Sequence, residues 1–255
     1  MASLNARSYH AFAAQSRCRN RTATSLDAAA ARPYLNEPSF SPGLRSQQTD
    51  PAGAEKATAT ARTAQGDKRA RILDAAIKVF AGRGFHSATV AEIAKAAGVA
   101  DGTIYLYFKG KEDLLLRLFD EKMTELLAEA RGELARERTA PARLARFIQL
   151  HLALVERNPD LASVLIVELR QSAQFHKSAD RAKLHAYVEL IAEVVRDGQE
   201  KGELDNGISP AVVKRAIFGA LDELALGWLL SGRRTSLKKT AAEVAGWLVR
   251  GLEAR

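Results

Sequence analysis

Val90 to Phe108 read VAEIAKAAGVADGTIYLYF, and this stretch decides the fold. Two short apolar-periodic segments flank a turn, Gly98-Val99-Ala100-Asp101-Gly102. The first places Val90, Ile93, Ala94 and Ala97 on one helical face. The second is only about two turns long and carries small, hydroxyl and aromatic groups: Gly102, Thr103, Tyr105 and Tyr107. Two helices joined by a tight glycine-containing turn form a helix-turn-helix, whose second helix fits the major groove of DNA. The expectation is a protein that binds duplex DNA, with the rest of the chain controlling that binding.

The placement of charge agrees. The chain has 255 residues and a net charge of +8. Residues 68–111 hold eight Lys/Arg against Asp74, Glu92 and Asp101, whereas residues 112–255 hold 22 of each sign. The folded excess therefore lies with the helix-turn-helix, as phosphate binding requires, although +5 over this length also occurs as plain surface variation. Hydrophobic residues make up 47% of the chain, without the run of roughly 20 apolar residues that a membrane helix needs. Cys18 is the only cysteine, which removes intrachain disulfides and fits a reducing, cytoplasmic setting.

Residues 1–66 are rich in Ala, Ser, Thr and Arg, carry Pro33, Pro38, Pro42 and Pro51, and show no sustained helical period. They read as a disordered basic tail, a transit-like segment or an over-extended start. From Asp67 onward nearly everything reads as helix. Ile72, Ala76, Val79 and Phe80 form a stripe over Lys68–Arg83, stopped by Gly84. Thr89-Val90-Ala91-Glu92 matches a capping box, and Asp101 or Ala100 opens the recognition helix. A long helix follows from Lys111 to about Glu137. Pro141, Asn158-Pro159, Gly202, Ser209-Pro210, Gly232 and Ser236 punctuate the remainder. The predicted fold class is all-α with about nine helices: a tail over 1–66, a three-helix DNA-binding domain over 67–112, and a helical ligand-binding and dimerisation domain over 113–255.

Ile72, Ala75, Ala76 and Phe80, then Gly84-Phe85, Thr89, Ile93-Ala94, Ala97-Gly98-Val99, Gly102-Thr103-Ile104-Tyr105, Tyr107-Phe108 and Lys111 to Leu115 resemble the TetR family of bacterial one-component transcription regulators. Many relatives carry Ser or Thr where this chain has Ala100, so Asp101 is the expected cap here. Gly102 would let the recognition helix approach the duplex. Thr103 could meet a base edge or a thymine methyl. Tyr105 and Tyr107 could reach phosphates or a base edge, or simply pack in the small domain. Thr89, Lys109 and Lys111 are phosphate candidates, the first and last at helix N-termini. The family resemblance implies repression of operator DNA by a homodimer. Phe218, Leu221, Ala225 and Trp228 on one helix, with Val244, Trp247, Leu248 and Leu252 on the last, are candidates for a four-helix interface; the plainer alternative is monomer core.

Leu161-Ala162, Ile166 to Ser172, Gly198, Glu200-Lys201-Gly202 and Ile217 to Glu223 are similar to the FadR-type TetR regulators of fatty-acid degradation. That resemblance implies a long-chain acyl-CoA effector, with another hydrophobic drug, lipid or aromatic compound as the alternative. Phe147, Leu150 and Ile166 would line an acyl tunnel. Arg170, Arg143, Arg146 and Lys183 could bind the CoA phosphates, although Arg170 could equally pair with Glu168 or Asp222. The linking helix from Lys111 is the expected lever between the two halves. There is no Gly-rich phosphate loop, Gly-x-Ser-x-Gly elbow or His-Glu-x-x-His pair. Neither an enzyme, a resident cofactor nor a metal site is therefore expected.

Overall fold

Thr89 starts the second helix by the means the sequence predicts. Its side chain accepts from the Glu92 N–H at 3.2 Å, and the Glu92 carboxylate accepts from the Thr89 N–H at 3.0 Å. The computed structural model describes residues 51–169, 181–233 and 235–254, with side chains from residue 66 onward except that of Arg181. Its helices are α1 Pro51–Arg83, α2 Val90–Ala97, α3 Asp101–Tyr105, α4 Lys111–Leu134, α5 Ala140–Arg157, α6 Pro159–Ser163, α7 Arg181–Glu200, α8 Pro210–Leu230 and α9 Leu237–Arg250. A π-helical turn, Val164–Glu168, continues α6. Among the described residues the only β pairing is an isolated bridge between Leu204 and Glu253.

Two boundaries differ from the sequence reading. Helix α1 begins at Pro51 rather than Lys68, so the last part of the segment read as a disordered tail is helical. That stretch lacks an apolar stripe, but its Ala, Glu, Lys, Gln and Arg residues favour helix, and it extends a helix anchored further on by buried Ile72, Leu73, Ala75 and Ala76. The rest of the tail, 1–50, lies outside the described residues. Helix α3 takes Ala100 as its N-cap, with no side-chain cap bond; Asp101 sits inside the first turn, where its charge meets the helix dipole instead.

The core is continuous from one end to the other. Residues 49–255 form one compact unit. The α1 helix packs on α2, α4, α6 and the π-helical turn, so the boundary expected near residue 112 is bridged by direct packing. Phe80, Phe85, Phe108, Phe119 and Phe147 are buried along this axis. On the far side α9 lies against α5, and α7 lies against α4, α5 and α8.

Gly198 marks the tightest of these approaches. A Cβ there would stand 2.5 Å from the Ala140 Cβ and 2.7 Å from Leu204 Cδ1. Close by, the Ala140 N–H donates to Glu203 Oε2 at 2.5 Å, joining the start of α5 to the turn after α7. Gly198→Ala is expected to lower unfolding stability by about 1–3 kcal/mol through overpacking, as read by urea denaturation.

Candidate functional site

The turn between α1 and α2 is held from two directions. Gly84 takes φ +78°, a conformation that favours glycine, and this turns the chain so that Phe85 enters the core. Lys111, at the start of α4, donates from Nζ to the carbonyl oxygens of Phe85 (2.9 Å), His86 (2.8 Å) and Ala88 (3.2 Å). The same ammonium lies 4.9 Å from the centre of the Phe85 ring. An ammonium has three donors, and here all three meet main-chain carbonyls. Lys111 was a phosphate candidate; the structure turns its side chain inward and gives it a structural task.

The second hold comes from the other half of the chain. Glu168, the buried acidic residue of the π-helical turn, accepts from the Phe85 N–H through Oε2 at 2.6 Å. Sequence reading considered Glu168 only as a partner for Arg170, which lies outside the described residues. The actual partner is a main-chain group 83 positions away, for which no side-chain pattern gives a signal.

The outward face around α3 is where duplex contact is possible. Tyr105 and Leu106 are 60% and 80% exposed. Gly102 is exposed, and a Cβ there would meet nothing within the protein, so folding does not require its bare backbone. Thr103 is half-buried, and the Lys109 side chain is exposed beyond the helix end. Tyr107 differs from Tyr105: it is partly buried against the core, its ring 6.4 Å from that of Phe108. The exposure of Leu106 has no signal in the sequence, because an apolar residue in an apolar run reads as core.

A cavity of about 130 Å³ opens inside the second half of the chain, among α4, α5, α6 with its π-helical turn, α7 and α8. Phe119, Met123, Leu165, Ile166, Leu169 and Leu184 make most of it apolar; the polar lining groups are His151, Tyr187 and Asp222. Ile166, a candidate for an acyl tunnel, lines this cavity. Phe147 and Leu150 are buried but do not line the cavity; the Phe147 ring backs the Tyr187 ring at 5.1 Å. Phe218, expected at a subunit interface, lines the cavity instead, edge-on to the His151 ring at 5.9 Å.

The His151 Nδ1 and the Tyr187 hydroxyl are 3.1 Å apart, while His151 Nε2 is sealed from solvent without a hydrogen-bond partner. Burial pushes the His151 pKa down to about 4, against a smaller opposing pull from Asp222. Burial likewise raises the Tyr187 phenol well above its usual range, helped by the Glu129 charge. The three basic phosphate candidates among the described residues are paired with side chains of other helices. Arg143 pairs with Asp197 at 2.6 Å, Arg146 with Glu133, and Lys183 with Asp120 at 2.5 Å and the Thr124 hydroxyl at 2.6 Å.

Two family profiles match the chain: "Bacterial regulatory proteins, tetR family" over residues 72–118, and "YsiA-like protein, C-terminal region", a TetR C-terminal family, over residues 119–251. The chain belongs to the TetR family. It is 36% identical over 185 residues to the fatty acid metabolism regulator protein of Bacillus subtilis, covering 72% of this chain and 95% of that one. Among solved structures it resembles the fatty acid degradation regulator FadR of Bacillus halodurans, with a TM-score of 0.69, 36% identity, and coverage of 74% of this chain and 97% of that one. FadR of Bacillus subtilis in complex with stearoyl-CoA is similar at a TM-score of 0.67 and 36% identity, covering 71% and 97% of the two chains. No helix among the described residues is long and apolar enough to cross a membrane.

In this TetR-family chain the last two helices present two kinds of apolar residue. Leu221, Ala225, Trp228 and Val244 are buried within the protomer, and the Trp228 Nε1 donates to the Thr235 carbonyl at 2.7 Å. They belong to the core rather than to an open interface. Leu248 and Leu252 pack partly against the same core. Trp247 points away from it, 57% exposed. On α8 the exposed positions Val212, Ala216, Gly219, Glu223, Gly227 and Leu230 recur every three or four residues, which puts them on one face.

Replacing Lys111 by Gln is expected to cost about 1–3 kcal/mol in urea unfolding, because carbonyls lose charge-assisted bonds, and to lower operator affinity at all salt concentrations alike. Tyr105→Ala should weaken operator binding about tenfold, an interaction of roughly 1–3 kcal/mol, with an unchanged melting temperature. His151 contributes a pH response of stability above the range in which the carboxylates titrate. Its folded pKa of about 4 lies below the ordinary 6.5, so the unfolded chain binds the proton first. The contribution of neutral His151 is complete above pH ~6.5 and is lost as pH falls toward ~4. The shift corresponds to about 3 kcal/mol at ~1.4 kcal/mol per pH unit. His151→Phe should flatten the wild-type stability curve within that window.

Proposed function

We propose that the chain is a homodimeric repressor that binds palindromic operator DNA and is released by long-chain acyl-CoA, thereby controlling fatty-acid degradation genes. The observation that carries this reading is the apolar cavity with one polar end, set in a chain similar to a regulator that holds stearoyl-CoA. An acyl chain suits such a lining because it removes apolar surface from water without stranding polar groups. A surface groove shares Leu126 with the cavity; it is lined by Lys78, Lys122 and Arg157 together with Asp74, Glu125, Glu129 and Asp160, and Lys122 pairs with Glu125 and Arg157 with Glu129, so a nucleotide end seated there would have to take these cations from their carboxylates.

For DNA, Gly102, Thr103 and Tyr105 form the reading surface, with Leu106 able to meet a thymine methyl. Thr89 and Lys109 are placed for phosphates, and the main-chain N–H groups at the start of α4 supplement them. The exposed α8 stripe and Trp247 supply the dimer face. Gly219 and Gly227 fit this role, because a Cβ on either would touch nothing in the protomer. Their value would lie in close approach of a second copy, which sets the half-site spacing near 34 Å.

The ligand signal would pass through the π-helical turn as well as through α4. Leu165, Ile166 and Leu169 line the cavity, while Glu168 between them grips the Phe85 N–H. A ligand that repacks the first three shifts the fourth, and with it the turn that carries α2 and α3. Population shift between two such arrangements is sufficient for release.

A gel shift of the full chain on its own upstream DNA, titrated with palmitoyl-CoA, free palmitate and CoA, tests the reading. Loss of the shifted band with palmitoyl-CoA alone is the expected outcome. A band that all three leave intact removes the acyl-CoA assignment and favours another hydrophobic effector. Glu168→Gln should still bind palmitoyl-CoA while releasing DNA at least several-fold less readily; full responsiveness would remove Glu168 from the route.

A further inference from the structure

The cavity is too small, as it stands, for a long acyl chain. Its volume is about 130 Å³. Benzene fills a cavity of roughly 150 Å³, and a palmitoyl chain has about two to three times as many carbons. Some wall must therefore part before such a chain can enter. The walls differ in how they are held. The π-helical turn is tied to the Phe85 N–H by Glu168 through a buried bond. Helices α5 and α7 meet through His151 and Tyr187, 3.1 Å apart, among the rings of Phe147 and Phe218.

The seam between α4 and the start of α7 is held nearer to water. Phe119 and Met123 of α4 and Leu184 of α7 line the cavity on either side of it. The residues next to them in sequence, Asp120, Thr124 and Lys183, close the seam from outside. Lys183 Nζ donates to the Asp120 carbonyl oxygen at 3.1 Å and to the Thr124 hydroxyl at 2.6 Å, and it lies 2.5 Å from Asp120 Oδ1. The Thr124 hydroxyl in turn donates to the same carbonyl at 2.7 Å. One ammonium thus places its three donors on α4. The Lys183 and Asp120 side chains are 33% and 38% exposed, so water competes for the pair and its opening costs little.

We propose that the α4–α7 seam is the door to the cavity and that Lys183 is its latch. The ligand enters when Lys183 leaves Asp120 and Thr124 and the first turn of α7 moves off α4. Met123, unbranched and readily repacked, yields on the inner side. Tyr187 lies one turn further along α7 and stays against His151, which confines the movement to the end of the helix. Lys183 thereby governs how fast the ligand arrives and leaves more than how tightly it is held. This rests on the acyl-CoA reading above and adds the route by which the effector reaches its cavity.

The test is surface plasmon resonance on the immobilised full chain, with palmitoyl-CoA kept below its micellar concentration. Lys183→Met keeps the stem and removes the ammonium. It should raise the association and dissociation rates by about three- to fivefold each, the size expected of a partly exposed ion pair. Thr124→Val leaves every charge in place and should raise both by a smaller factor, whereas Lys183→Arg should stay close to wild type. Wild-type and Lys183→Met rates should converge as salt rises, because the pair is screened. The sign of the change separates a latch from a phosphate contact. A Lys183 that attracts the CoA phosphates would make association slower in Lys183→Met, and that result overturns the proposal. Unchanged rates in Lys183→Met and Thr124→Val overturn it as well and move the entrance elsewhere, with Leu126 and the surface groove next in line. Absence of palmitoyl-CoA binding to wild type and variants alike overturns the acyl-CoA reading and this proposal together. If Lys183→Met does not fold, Thr124→Val decides.

Discussion

The placement of α2 and α3, the proposed DNA-reading elements, depends on how the Phe85 turn is clamped. Its ring is buried beside Phe80 at 5.4 Å, its carbonyl accepts from Lys111, and its N–H donates to Glu168. Three elements distant in sequence therefore converge on one residue. Helix α3 has only five residues and no side-chain cap, so it has little stability of its own. Its position is inherited from α2 and from the start of α4, and Lys111 ties both to the turn. The proposed reading surface is precise only to the extent that this turn is.

The clamp also joins the two halves of the chain directly. A buried carboxylate needs its hydrogen bonds wherever it is placed. Glu168 finds one on the far side of the expected domain boundary. The α1 helix then gains a packing partner in α6, and the Arg69 side chain joins α1 to Glu121 of α4 while lying 5.5 Å from the centre of the Phe108 ring. The same segment that answers to the cavity thus answers to the turn.

Much of this was legible in the sequence, and the pattern of what was not is instructive. Caps and stops act over three or four residues, so Thr89, Gly84, Pro141 and Ser209-Pro210 announce their helices directly. Apolar periodicity placed Ile72, Ile93, Ile104 and Phe108 in the core correctly. Periodicity fails on α8, because that helix has two apolar faces. Leu221, Ala225 and Trp228 serve the core, Phe218 serves the cavity, and Val212 and Leu230 face outward. Hydrophobicity alone gives these three environments the same signature. Long polar side chains are harder still. Lys111 and Arg143 look like surface cations in sequence, but one grips carbonyls and the other Asp197.

The last distinction is between a core and a cavity. Phe147 and Ile166 occupy similar positions in the sequence pattern, yet one is packing and the other lining. What separates them is unfinished bonding nearby rather than apolarity. A core built only for stability would not keep His151 Nε2 without a partner, since a buried unmet polar atom costs about 1–3 kcal/mol. Replacing His151 and Tyr187 by Leu and Phe would remove that cost from the unliganded protein. Their presence is thus a stability loss located at the polar end of an otherwise apolar space, the kind of local inconsistency that folds tolerate at functional sites.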